Sequence, residues 1–135
     1  SRRTLDLNSI GAIDVVKHSK TIQVNCNTID QYSKDNAVPK IDFLKLDVQG
    51  AEFLALKGAE ELLTSQRIHF VLFELLLCPT YSDQRELHEY TSLMNSYNYT
   101  LFDIIDPIRK NRQLIQADFL FVSSSQMARI HELQE

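Results

Sequence analysis

The clearest pattern in the chain is a strand-like alternation over Ile41–Val48 that gives way to helical spacing. Strand geometry puts Ile41, Phe43, Lys45 and Asp47 on one face and Asp42, Leu44, Leu46 and Val48 on the other. Both faces are apolar in the middle, the pattern of an inner strand covered by helices on each side. After Gly50, residues Phe53, Leu56, Ala59 and Leu63 recur at helical spacing, which predicts a helix over Ala51–Ser65. Gly58 lies inside it at a cost of about 1 kcal/mol against alanine, so another backbone is expected to pack close there. Ile68–Leu77, broken only by Glu74, predicts a second buried strand.

The flanks extend this order. Thr21–Cys26 alternates and is β-branched, which predicts an edge strand. Thr28–Lys34 reads as a short helical turn, with Thr28 as cap and Gln31 at the capping-box position. Cys78–Ser82 is a loop. A helix follows, capped by Ser82 or by Asp83 with Glu86 as its box partner. Its inner stripe is Leu87, Tyr90, Met94 and Tyr97, and Asn98 is its left-handed stop.

Thr100–Ile105 and Ala117–Val122 predict two more strands, joined by a polar connection that holds Pro107, Arg109, Lys110 and Arg112. The intervening helix lets the first of them run parallel to its predecessors, and the short connection returns the second antiparallel. Residues 1–20 stay unplaced apart from a short apolar cluster, 21–122 form the body, and 123–135 are a polar tail. The sum is an α/β fold, mostly parallel with a final antiparallel strand: half of a doubly wound sheet without its first strands.

Composition narrows the function. The 135 residues suffice for one domain with a real core, and 44% hydrophobic with 24% charged residues excludes disorder. A net charge of −4 argues against nucleic acid or an anionic membrane as the main partner. No apolar run approaches the ~20 residues that span a bilayer, and no signal peptide opens the chain, so a cytoplasmic protein is expected. Cys26 and Cys78 lack zinc-like or CxxC spacing, and the four histidines form no metal-binding pair, so no metal is expected.

The central stretch also carries a resemblance. Leu44-Lys45-Leu46-Asp47-Val48-Gln49-Gly50-Ala51-Glu52, followed by Leu56-Lys57-Gly58-Ala59, resembles the "KxDVEGAE…LKGA" signature of FkbM-family methyltransferases. Thr28-Ile29-Asp30 resembles the family's "TLD" element and Phe73-Glu74 its strand ending in glutamate. Asn98-Tyr99 stands where the family has Gly-Tyr, and Asp118-Phe119-Leu120-Phe121 is similar to its closing "DxLF" strand. Gln49 departs from the family's glutamate. The larger departure is that the first strand, the glycine-rich turn and the acidic end of the second strand have no counterpart. The resemblance implies the second half of a class I (Rossmann-like) fold, S-adenosylmethionine as cofactor of the complete domain, and methyl transfer to a hydroxyl, often of a sugar or natural product. It also implies that this chain alone binds the cofactor poorly.

Within that reading, Asp47 ends the central strand, where open parallel sheets bind ligands, and is the first candidate for general base. Its alternative role is to cap the next helix. Glu74 is the second candidate, since a carboxylate set among apolar residues suits proton transfer. Lys45 is either a partner that keeps Asp47 ionised or a snorkelling side chain. Gln49 and Glu52 read as capping partners. Arg109, Lys110 and Arg112 offer cations to an anionic group on the acceptor, or form a solvated turn. Tyr81 can stack on a sugar, or lie idle on the surface. Two other classes stay open: a non-catalytic α/β interaction module, and the distal half of a nicotinamide-binding domain. If the sheet's first strands are missing, Ile41–Val48 presents an apolar edge and the chain is expected to self-associate.

Overall fold

Thr28 caps helix α1 (Ile29–Asp35), its hydroxyl accepting from the Gln31 N–H at 3.0 Å, as the sequence predicts. The capping box does not close, because the Gln31 side chain donates to Asp35 instead, at 2.7 Å. The structure, a computed structural model, describes residues 23–78 and 85–133. The edge strand expected over Thr21–Cys26 is not realised in its described part, where residues 23–26 are exposed and unpaired with any strand. β-Branched alternation makes a strand only where a neighbour accepts its hydrogen bonds.

Strands β1 (Ile41–Leu46) and β2 (Ile68–Leu76) pair in parallel, from Ile41 opposite Ile68 to Leu46 opposite Phe73. Between them the expected single helix is two: α2 (Glu52–Lys57) and α3 (Glu60–Thr64), with Gly58 as the cap that ends α2. The break has a cause in α1. The Asp30 N–H donates to the Gly58 carbonyl at 3.0 Å. The Asp30 carboxylate accepts from the N–H groups of Glu61 at 2.8 Å and Leu62 at 3.0 Å. It therefore caps α3 from a different helix, which has no cap of its own. A Cβ on Gly58 would lie 3.4 Å from the Thr28 Cβ, so the close approach predicted for this glycine is made by the start of α1.

Helix α4 (Leu87–Ser96) opens with a capping box between Glu86 and Glu89, three residues later than expected. Ser82 and Asp83, the expected caps, lie outside the described residues. Tyr90, Met94 and Tyr97 are buried along the predicted stripe, and Asn98 ends the helix at φ 61°. Strands β3 (Tyr99–Lys110) and β4 (Gln113–Ser123) complete a four-stranded sheet in the order β1-β2-β4-β3. β4 is antiparallel to both neighbours, so β1, β2 and β3 point the same way, as the connections predict. The connection itself is mostly strand. β3 runs through Pro107 at a bulge where Asp106 takes φ 49°, which an edge strand tolerates. Only Asn111 and Arg112 remain as a two-residue turn.

Two further expectations fail. Among the described residues β1 is an edge strand, not an inner one. Among the described residues the core lies on one face of the sheet only. Leu46, Val71, Phe73, Phe119 and Phe121 pack with Leu56, Leu62 and Met94 of the helices into one core. On the opposite face Phe43 is 53% exposed, and Phe70, Leu72 and Leu120 are half-buried and outside that core. Right-handed crossovers through α2, α3 and α4 put these helices on the same side, which leaves the other without them.

The foot of the sheet is tightly closed. The Gln66 amide donates to the Tyr97 carbonyl at 2.7 Å and accepts from the Ser124 hydroxyl at 3.1 Å and the Ser125 N–H at 3.3 Å. The Tyr99 hydroxyl donates to the Ile68 carbonyl. Burial raises the Tyr99 pKa well above the ordinary phenol value. The polar tail is a helix, α5 (Ser124–Glu132), capped by Ser123.

Candidate functional site

The carboxyl ends of β1 and β2 meet beside a loop that the Glu52 side chain bridges. Gln49 and Gly50 both take positive φ, 51° and 93°, which turns their neighbouring N–H groups inward. The Glu52 carboxylate, 4% exposed, accepts from the Val48 and Gly50 N–H groups, each at 3.2 Å. Glu52 thus does the capping work that the sequence also allowed to Asp47. Asp47 is exposed, and its carboxylate accepts from the Gln49 side-chain amide at 3.3 Å. Lys45 is exposed on the edge strand, and among the described residues no ion pair joins it to Asp47.

A hollow of about 40 Å³ opens at this end, lined by Gln49, Gly50, Glu52, Glu74, Arg85 and Tyr90. Glu74 of β2 is among its lining residues, and its side chain points to the sheet face it shares with Phe70 and Leu72. One of its oxygens accepts from the Gln116 amide of β4 at 2.7 Å. Asp118 of β4 stands directly opposite Glu74, so two carboxylates share one face of the sheet. The guanidinium of Arg85 lies 4.8 Å over the Phe53 ring and pairs with Glu89 at 2.5 Å. The Glu86 N–H, with Arg85 second, holds the Glu89 carboxyl below its ordinary range.

The basic residues reach the same end by another route. Because β3 runs with β1 and β2, its carboxyl end carries Arg109 and Lys110 to the side where Glu74 sits, and Arg112 lies in the turn beyond. All three are exposed. Tyr81 lies outside the described residues. Glu74 is therefore the predicted residue that lines the hollow, with Asp47 at the adjacent strand end and the basic residues on the projecting hairpin. Arg85 and Asp118 are the two residues that sequence reasoning passed over. Cross-strand register reveals Asp118; spacing along the chain does not.

Larger hollows lie elsewhere, beside α1. One of about 640 Å³ is lined mainly by apolar groups such as Val48, Leu54 and Ala55. Another, of about 250 Å³, contains Asp30, Lys34, Glu61 and Arg67, but these are committed to each other and to the cap of α3. Among the described residues, no three His, Cys, Asp or Glu side chains gather as a metal site. Nor is any described helix long and apolar enough to cross a membrane.

An α/β sheet with carboxylates at the carboxyl ends of its parallel strands has the ligand-binding layout of open α/β domains. The family follows from comparison: a model of the methyltransferase FkbM domain matches residues 4–101, and the chain belongs to that family. At the level of the family it is a methyltransferase. The match ends within β3, so the Asp118–Phe121 element lies beyond it. No curated protein and no solved structure matches the chain.

Proposed function

We propose that the chain carries the acceptor side of an S-adenosylmethionine-dependent O-methyltransferase acting on the hydroxyl of a sugar or similar small molecule. The observation that carries this reading is the place of Glu74, half-buried near the carboxyl end of β2 and among the residues that line the hollow beside the Gln49–Glu52 loop. The strand order, with an antiparallel β4 inserted between β2 and β3, supports the class I fold that the resemblance implies.

S-adenosylmethionine supplies the methyl group when bound. The hollow beside Glu74 does not by itself fit that cofactor, since 40 Å³ falls far below the ~300–1,000 Å³ of small-molecule sites. None of them is given the task of holding it. What they offer is proton chemistry and alignment. Gln116 fixes one Glu74 oxygen, and the other accepts the proton of the acceptor hydroxyl. Asp47, exposed beside it, orients the acceptor, with Lys45 on the same strand face.

The test is methyl transfer by the full-length protein with a panel of hydroxyl acceptors. Glu74→Gln should lower kcat by roughly 10²-fold and Asp47→Asn by less. Near-normal turnover by Glu74→Gln removes it from the chemistry. The uncovered sheet face and open β1 edge favour one second reading, a non-catalytic interaction module. Calorimetric titration with S-adenosylhomocysteine and with NAD separates them: the enzyme binds the first, a nicotinamide domain the second, an interaction module neither.

A further inference from the structure

We infer that the tip of the β3–β4 hairpin is an anion-recognition arm and, resting on the reading above, that the acceptor carries a phosphate or carboxylate remote from its reacting hydroxyl. The first observation is where unpaired cations lie. Lys34, Lys40, Lys57, Arg67 and Arg85 each have a carboxylate partner within 3.2 Å. Arg109, Lys110 and Arg112 have none among the described residues, and although Lys45 and Arg129 also have none, only these three stand together. Across the hairpin Lys110 faces Gln113 and Arg109 faces Leu114, so no acid is set opposite either. Asp106, at the bulge before Pro107, is the nearest acid along the strand. In a chain of net charge −4, such a cluster is what lets an anion approach.

The second observation is strain. The two turn residues take φ 51° (Asn111) and 69° (Arg112). A turn with both central residues left-handed favours Asn-Gly. Asparagine meets that demand; arginine does not, and the turn gives no reason for its presence. The third is position. β2 makes its last pair with β4 at Leu76 and Gln116, whereas the hairpin continues to Lys110 and Gln113. That carries the tip about 10 Å past β2, at three residues of strand rise, on the side where Glu74 lines the hollow. Guanidinium and ammonium groups there suit the oxygens of a phosphate or carboxylate.

The test is an amide NMR titration of the full chain with inorganic phosphate, against sodium chloride at matched ionic strength. Amides of residues 109–113 should shift saturably, and Arg109→Gln with Arg112→Gly should weaken the apparent affinity at least about tenfold. Arg112→Gly alone should raise Tm while weakening phosphate, which separates lost recognition from lost fold. Shifts that chloride reproduces, or that survive both substitutions, overturn the inference. Co-sedimentation with phosphatidylcholine vesicles, with and without phosphatidylserine, identifies the source of the anion. Binding that needs phosphatidylserine and the three cations, without saturable phosphate shifts, overturns the acceptor assignment in favour of a lipid headgroup. If phosphate binds at the tip but no methyl transfer is found, the arm stands and the proposed reaction falls.

Discussion

The two margins of the sheet are built to opposite specifications. β1 presents six residues in unbroken register with its neighbour, with Asp42 and Lys45 as its charges. β3 presents twelve, but its register shifts at three places, Pro107 interrupts it, and Asp103, Asp106, Arg109 and Lys110 are spread along it. Bulges, proline and charge are the means by which proteins keep an edge from pairing. β3 uses all three and can afford exposed Phe102, Ile104 and Ile108. β1 uses little of this, and beside it lie Phe43, Val48 and Leu54, each more than 40% exposed. The difference teaches that β3 is made to remain a margin, while β1 is made to be joined.

That contrast can be broken or sharpened by substitution. The largest effect is expected at Glu52, which accepts from two inward N–H groups of the loop after β1. Glu52→Ala should destabilise the chain by about 3 kcal/mol, with amide exchange rising in β1 and not in β3. Uniform exchange would mean that the two margins are not independent. Asp30→Ala removes the cap that α1 lends to α3 and should cost about 1–2 kcal/mol in denaturant unfolding. Loss below ~0.3 kcal/mol would show that water replaces the cap.

On the β3 side the corresponding tie is a phenol. Burial raises the Tyr99 pKa in the folded chain, so its contribution is complete below the unfolded value of about 10 and declines as pH rises beyond it. Thermal unfolding should therefore steepen with pH in the alkaline range. Tyr99→Phe should flatten that slope, and an unchanged slope would assign it to other groups. The smallest change in stability, within ~0.5 kcal/mol, is expected for lysine placed on either margin. Their effects on association should differ: we propose that concentrated protein self-associates through β1. In sedimentation velocity Phe43→Lys should abolish that association, and Phe102→Lys should leave it intact. A monomer at every concentration would sink the idea.

Much of this architecture was legible because it is local. Periodicity places β1 and β2 to within two residues of their observed ends, and Thr28 and Asn98 act as the cap and stop that their chemistry suggests. What failed depends on distant partners. The break at Gly58 needs Asp30, which is 28 positions earlier in the chain. The strand through Pro107 needs β4 beside it and a bulge to absorb the proline. The inner placement of β1 rested on apolar residues on both its faces, and that pattern marks what a strand can be buried against, not what is there. For the site, Glu74 and Asp47 could be found as polar residues ending apolar runs. Asp118 and Arg85 could not, because register and the fold of the following helix bring them near.

Gln66 has a consequence for how the molecule comes apart. Its amide must both give a hydrogen, to the Tyr97 carbonyl, and take one, from Ser124 and Ser125. A carboxylate of the same shape can only take. Gln66→Glu would therefore set charge against a carbonyl at the joint where three connections meet, and the last helix would lose one of its ties while the Ser124 N–H kept its bond to the Asn98 carbonyl. This tie at the bottom of the protein is a side chain whose two ends are not interchangeable.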